Sequence, residues 1–326
     1  MSSGPRRTVF LTFGGGKTWP DAARRLKKQA EATGIFDAVF LETSDEFFSE
    51  NPDFSHHRPF IESNARGWGY WIWKPFLLLK YINRLKEGDI IFYLDAGCEI
   101  LPENSAQFRP MLDHIATNGN AFFDYSRYAV FNLAFWCKQS LLDALQQEFG
   151  VVDWLRTPKI WAGGFGLTKS DRNLAFLSDW FRFATKDNYH LVDDTPSKIP
   201  QIYPFFEHRH DQSILSGLKA IYKFPNYRPA SEFDWGDISQ DVAELALAQP
   251  FLMSRNATGE SKVAEMKRCS LPAGKSTSTH QIANVMTRKV LPMLINLDLI
   301  TRNSSCYCGS GKRFKHCHGA LDLGTG

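Results

Sequence analysis

The feature that most constrains the fold is a repeated alternation of short apolar runs with an amphipathic helix near the amino terminus. Thr8 to Phe13 is a compact run of strand-forming residues, broken by Gly14-Gly15-Gly16. Thr18 is placed to cap a helix with Pro20 in its first turn, and Asp21 sits where the helix dipole favours an acid. That helix runs to about Thr33 and stops at Gly34; Ala22, Leu26 and Ala30 line its apolar face. Asp37 to Thr43 reads as the next strand. A second unit follows, with a helix from Pro75 to Lys86, a stop at Gly88 and a buried-type strand from Asp89 to Leu94. Such units imply an α/β protein with a mostly parallel sheet flanked by helices.

Further along, Ser105 to Thr117, Lys138 to Phe149 and Asp171 to Lys186 read as helices, and Ile160 to Leu167 as a strand. Asp211 to Ala220 reads as a helix leading into a strand at Ile221 to Phe224. Ser254 to His280, rich in Ser, Thr, Lys and Ala, reads as a mobile loop or linker. Gln281 to Leu299 reads as a helix kinked at Pro292. The formal charge of +3 is too small for a nonspecific nucleic-acid footprint. No apolar run approaches the ~20 residues of a membrane helix, and Val9 to Phe13 is too short for a secretion signal. A soluble cytoplasmic protein is expected, and the sequons at Asn256 and Asn303 are read as chance matches.

Three of the six cysteines fall in the last 21 residues. Cys306, Cys308, Cys317 and His318 supply three thiolates and an imidazole within 13 residues, a closed donor set for tetrahedral zinc. A segment this short cannot bury a useful core, so bound metal would supply its folding energy. Cys306-Tyr307-Cys308-Gly309-Ser310-Gly311-Lys312-Arg313-Phe314-Lys315-His316-Cys317-His318-Gly319 resembles the SEC-C zinc motif of the SecA translocation ATPase. The resemblance implies contact with a protein partner, not catalysis.

The main chemistry is expected elsewhere. Gly14 to Thr18 lacks the first glycine of a P-loop, because Leu11 stands there, yet its backbone N–H groups could approach a nucleotide. Ile90 to Leu94 ends in Asp95-Ala96-Gly97, an acid followed by small residues where open α/β sheets bind ligands. Arg66 to Pro75 packs tryptophans and two cations. Lys74 sits against the helix dipole at a helix start, which makes sense if it meets an anion such as a diphosphate. Trp161 to Gly166 offers small residues for close approach to a ligand. Glu207 to Ser213 gathers acids, an amide and two imidazoles.

Gly69-Tyr70-Trp71-Ile72-Trp73-Lys74-Pro75, Tyr93-Leu94-Asp95-Ala96-Gly97-Cys98-Glu99, Trp161-Ala162-Gly163-Gly164 and His210-Asp211-Gln212-Ser213 together resemble a bacterial polysaccharide glycosyltransferase with a GT-A fold. The resemblance implies a GT-A-like (Rossmann-like) domain over residues 1–235, an extension over 236–300 and a zinc knuckle over 301–326. It implies sugar transfer from a nucleotide-diphosphate sugar, UDP-sugar favoured, to a glycan or lipid-linked glycan in capsule or lipopolysaccharide assembly. The location implied is the cytoplasm or the inner-membrane periphery. Asp95 is then the first acid of an Asp-x-Asp metal motif, Lys74 contacts the donor, and Asp211 faces sugar or acceptor. Thr12, Phe13, Gly14, Arg66, Gly163, Gly164 and Gln212 complete the expected donor site. One departure stands out, because Gly97 replaces the second acid. Glu99 or His210 could complete a Mn2+ or Mg2+ site, or Asp95 could hold the donor ribose or sugar instead. A non-catalytic binding protein on the same scaffold, and a nucleotidyltransferase, are the alternatives.

Overall fold

The computed structural model describes residues 6–124, 129–202, 204–227, 250–252, 255–261, 279–304, 306 and 312–317. The chain opens with strand β1 (Thr8–Gly14), helix α1 (Pro20–Ala32) and strand β2 (Ala38–Thr43). Three short segments follow, α2 (Phe47–Glu50), α3 (Arg58–Ser63) and α4 (Gly67–Tyr70), and lead into α5 (Trp73–Ile82). Next come β3 (Ile90–Leu94), β4 (Glu99–Ile100), α6 (Phe108–Asn118), β5 (Asn120–Asp124), α7 (Gln139–Phe149), β6 (Ile160–Thr168), α8 (Asp171–Thr185) and α9 (Asp211–Ile221). Strand β7 (Phe251–Leu252) and helix α10 (Thr279–Asn296) complete the named elements.

The main sheet has the order β2-β1-β3-β6-β5. β1 pairs in parallel with β2 and β3, whereas β6 runs antiparallel to both β3 and β5. Four of the five strands therefore point one way, and the expected mostly parallel, helix-flanked sheet is present. Local periodicity reveals neither the reversal of β6 nor the existence of β5. Both faces of the sheet are covered, because Val9, Leu11, Ile91 and Tyr93 enter one apolar cluster and Phe10, Ile90, Phe92 and Leu94 the other. This explains why β3 reads as a continuous apolar run.

Several local expectations change. Trp19, not Thr18, is the residue before α1, and no side chain caps that helix end. The chain after α9 does not form the expected strand at 221–224: Tyr222 N–H still bonds Leu218 O at 2.8 Å as the helix closes. The expected linker from Ser254 is not loose at its start. β7 pairs with β4, and residues 255–261 lie against the loop after β3. Residues 262–278 fall outside the described set. Asn256 is fully buried, so its sequon is not a glycan acceptor in this fold.

Gly14 is where β1 and α1 meet most closely. A Cβ there would lie 2.7 Å from Pro20 Cα and from the Trp19 carbonyl oxygen, both backbone atoms. The glycine expected to admit a ligand instead admits the start of α1. Gly14→Ala should lower stability by about 1–3 kcal/mol, an overpacking cost, read as a reduced urea midpoint with an unchanged slope.

Candidate functional site

The site lies beyond the carboxyl ends of β1 and β3, at the amino-terminal end of β6. Asp95 follows β3 directly, and its N–H bonds the Gly163 carbonyl at 2.8 Å. Lys74, in the first turn of α5, has only 2% of its side chain exposed. Its ammonium lies 3.1 Å from Asp95 Oδ1 and 2.9 Å from Asp211 Oδ2, and it donates to Ala162 O at 3.0 Å. Four chain segments therefore converge on one nitrogen. Burial opposes the charge on Lys74, yet Asp211 and Asp95 outweigh it and hold its pKa above the ordinary value. Burial lifts Asp211 to about 6 despite the nearby lysine. Tyr93 donates to Asp95 Oδ1 at 2.6 Å. In the sequence Tyr93 belongs to the Asp95 motif without an expected role, although alternation along β3 places it on the same face as Asp95.

The structure gives Lys74 partners that its sequence context does not name. Its misplaced charge is indeed answered by anions, but these are two carboxylates of the protein. Two acids and one ammonium leave one negative charge uncompensated.

The approach to Lys74 is a left-handed turn. Gly67, Trp68, Gly69, Tyr70 and Trp71 all have positive φ, from 51° at Trp68 to 83° at Gly69. Tyr70 N–H bonds Arg66 O at 2.8 Å and Trp71 N–H bonds Gly67 O at 3.2 Å. Each non-glycine residue in this conformation costs roughly 1–2 kcal/mol. Packing offsets that cost. Trp68 lies against Phe13 and Phe47 at ring separations of 5.3 and 5.0 Å, and the Trp73 indole donates to Gly67 O at 3.0 Å. Trp68 and Trp73 are thus packing residues. Trp71 is only half-buried.

His210 forms the rim with an acid that the sequence did not flag. Its Nδ1 contacts Val192 O at 2.8 Å, and its Nε2 lies 3.6 Å from Asp194 Oδ1. Burial pushes its pKa down to about 4. Asp194 also accepts from Tyr70 at 2.9 Å and pairs with Arg66 at 3.3 Å. Arg66 therefore reaches the rim, but already paired. Asp194 sits in an irregular loop, where no local pattern marks it.

The remaining expected donor residues fare differently. Thr12 and Phe13 are buried, and Phe13 packs on Trp73 at 4.0 Å. Cβ atoms at Gly163 and Gly164 would meet the Trp161 indole at 2.5 and 2.6 Å, so their small size admits that ring. Gln212 donates to Ile160 O and accepts from Arg209 Nε at 3.3 Å, which makes it a brace between α9 and β6.

Among the described residues, the two side chains expected to complete a cation site with Asp95 turn to other partners. Glu99 is fully buried and turned to Gln29, Asn256 and Ser261, and His210 addresses Val192 and Asp194. Among the described residues, no group of three or more His, Cys, Asp or Glu side chains could hold a metal ion. In the tail, Cys306 and Cys317 are described, while Cys308 and His318 lie outside the described residues. Cys306 N–H bonds Lys312 O at 2.8 Å and Phe314 N–H bonds Ser304 O at 2.7 Å, folding one cysteine arm back toward the other.

The SEC-C motif matches residues 302–320. The protein translocase subunit SecA of Wolbachia sp. subsp. Brugia malayi (strain TRS) is 39% identical over 63 residues, 17% of this chain and 7% of its own. SecA of Anaplasma marginale (strain St. Maries) is 71% identical over 24 residues, 7% of this chain and 3% of its own. The chain thus spans only a small fraction of these relatives. Two solved structures are also similar. One is a glycosyltransferase involved in the glycosylation of the major capsid of PBCV-1, with 10% identity and a TM-score of 0.39, over 81% of this chain and 100% of that one. The other is mouse xyloside xylosyltransferase 1, apo form, with 12% identity and a TM-score of 0.36, over 68% of this chain and 84% of that one. Among the described residues, no helix is long and apolar enough to cross a membrane.

Removing the central ammonium leaves two carboxylates facing each other, one of them buried. Lys74→Met should cost about 3–5 kcal/mol in urea unfolding. Adding Asp211→Asn should recover part of that loss.

Proposed function

We propose that the protein is a glycosyltransferase that moves a sugar from a nucleotide-diphosphate sugar to a glycan acceptor in bacterial surface polysaccharide synthesis. The observation that carries this reading is the convergence of Asp95, Lys74 and Asp211 at the carboxyl ends of β1 and β3. Fixed charges at that position can grip a polyhydroxylated ligand, and open α/β sheets bind ligands there. In the reaction the anomeric C–O bond breaks, the nucleoside diphosphate leaves with the electron pair, and the acceptor oxygen forms the new bond. The acceptor proton passes to a carboxylate in an inverting reaction. Asp211, lifted to about 6 by burial, is the base suited to pH 7.

A nucleotide-sugar that raises the melting temperature should also be hydrolysed slowly, with release of the nucleoside diphosphate. Asp95→Asn and Asp211→Asn should each reduce turnover by about 100-fold or more. Because Asp211 must be ionised to act as base, kcat/KM should fall as pH drops below about 6. Asp211→Asn should remove that limb. Binding without turnover in the wild type would favour the non-catalytic alternative, and release of pyrophosphate a nucleotidyltransferase.

The tail is proposed to hold one structural zinc ion through Cys306, Cys308, Cys317 and His318 and to contact a protein partner. The donor set, three thiolates and an imidazole, suits zinc. Metal analysis of the purified protein should give one zinc per chain, and Cys306→Ser with Cys308→Ser should abolish it.

A further inference from the structure

Gly97 stands where an Asp-x-Asp pattern has its second acid, and the structure shows what occupies that place. A Cβ at Gly97 would lie 3.1 Å from the Trp19 ring and 3.3 Å from the Cα of Arg255. A residue from far along the chain is therefore seated directly on the loop after β3. Its seat is built, not incidental. Asn256 N–H bonds Gly97 O at 2.9 Å, and the Asn256 amide donates to the buried Glu99 at 3.0 Å. Arg25, itself buried, ties the two segments together. One of its terminal nitrogens donates to Asn256 O and Thr258 O at 3.1 and 2.6 Å, and the other to Ala96 O and Cys98 O at 3.0 and 2.8 Å. Arg255 itself has a φ of 50°, unusual for an arginine, while its side chain is exposed.

We propose that Arg255 is a binding residue for the donor diphosphate, supplying the positive charge that a metal held by Asp-x-Asp would otherwise supply. The proposal rests on the glycosyltransferase reading and deepens it. Lys74 cannot supply this charge, since it is consumed by Asp95 and Asp211, and the trio retains a negative charge. Arg66 at the rim is paired with Asp194, and Arg209 with Glu207. The side chain of Arg255 leaves the backbone beside Gly97, two residues past Asp95, and ends in the planar fork that suits phosphate oxygens. Replacement of an acid by glycine then has a physical logic, because the missing side chain makes room for the backbone that carries the arginine. Diphosphate binding by this route requires no divalent cation.

The test is calorimetric titration of the full-length protein with UDP, GDP and inorganic pyrophosphate, in EDTA and in Mn2+. Wild type, Arg255→Gln and Arg255→Lys are compared, with melting temperatures measured alongside. The expected result is nucleoside-diphosphate binding that survives EDTA and weakens about tenfold or more in Arg255→Gln. Arg255→Lys should retain most of the affinity, uridine and guanosine should bind all three proteins alike, and the melting temperature should hold. Unchanged affinity in Arg255→Gln, or binding that appears only with Mn2+, overturns the assignment to Arg255 and leaves the glycosyltransferase reading standing. No binding of any probe by the wild type in either condition overturns both.

Discussion

A single buried ammonium holds this site together. Lys74 draws the start of α5, the end of β3, the first turn of α9 and the Ala162 carbonyl of β6 to one point. Removing the lysine would leave two carboxylates facing each other without the cation they share, so both acids depend on it. The same interaction fixes where chemistry can occur. Asp95 keeps 37% of its side chain exposed while Asp211 keeps 7%, so Lys74 is flanked by one wet and one dry carboxylate.

The strain near Lys74 fits this picture. A left-handed turn with three bulky aromatics is costly, and backbone strain of this kind clusters where a site must be held in one geometry. Here the turn carries Tyr70 to Asp194 and delivers the chain into α5 with Lys74 aimed inward. Phe13, Phe47 and Phe48 surround Trp68 and offset the cost by packing. The aromatic rings around this turn thus serve as its scaffold.

Much of this was legible in the sequence because it was encoded locally. The alternation of β1, α1 and β2 follows from periodicity and glycine stops, and Asp95 is marked by its place after an apolar strand. Lys74 is marked by a charge that opposes its own helix, but its partner Asp211 lies more than a hundred residues away, beyond the reach of local pattern. The donor roles expected of Gly14, Gly163 and Gly164 gave way to close packing against Pro20 and Trp161. A glycine announces a close approach without saying what approaches. The antiparallel course of β6, the Asp194 rim and the return of residues 255–261 arise from tertiary pairing, which no local pattern records.

The carboxy-terminal helix has its own consequence. α10 packs on the turn at Ala129–Phe131, and Arg156 donates to Leu297 O at 3.1 Å just beyond it. Leu294, Ile300, Cys306 and Phe314 join the same apolar cluster as the sheet. The segment that leads into the SEC-C motif is therefore a bracket and not a tether. Cys306 and Phe314 are thereby set in place relative to the sheet, so a shift of the bracket would be felt in the apolar cluster on that face.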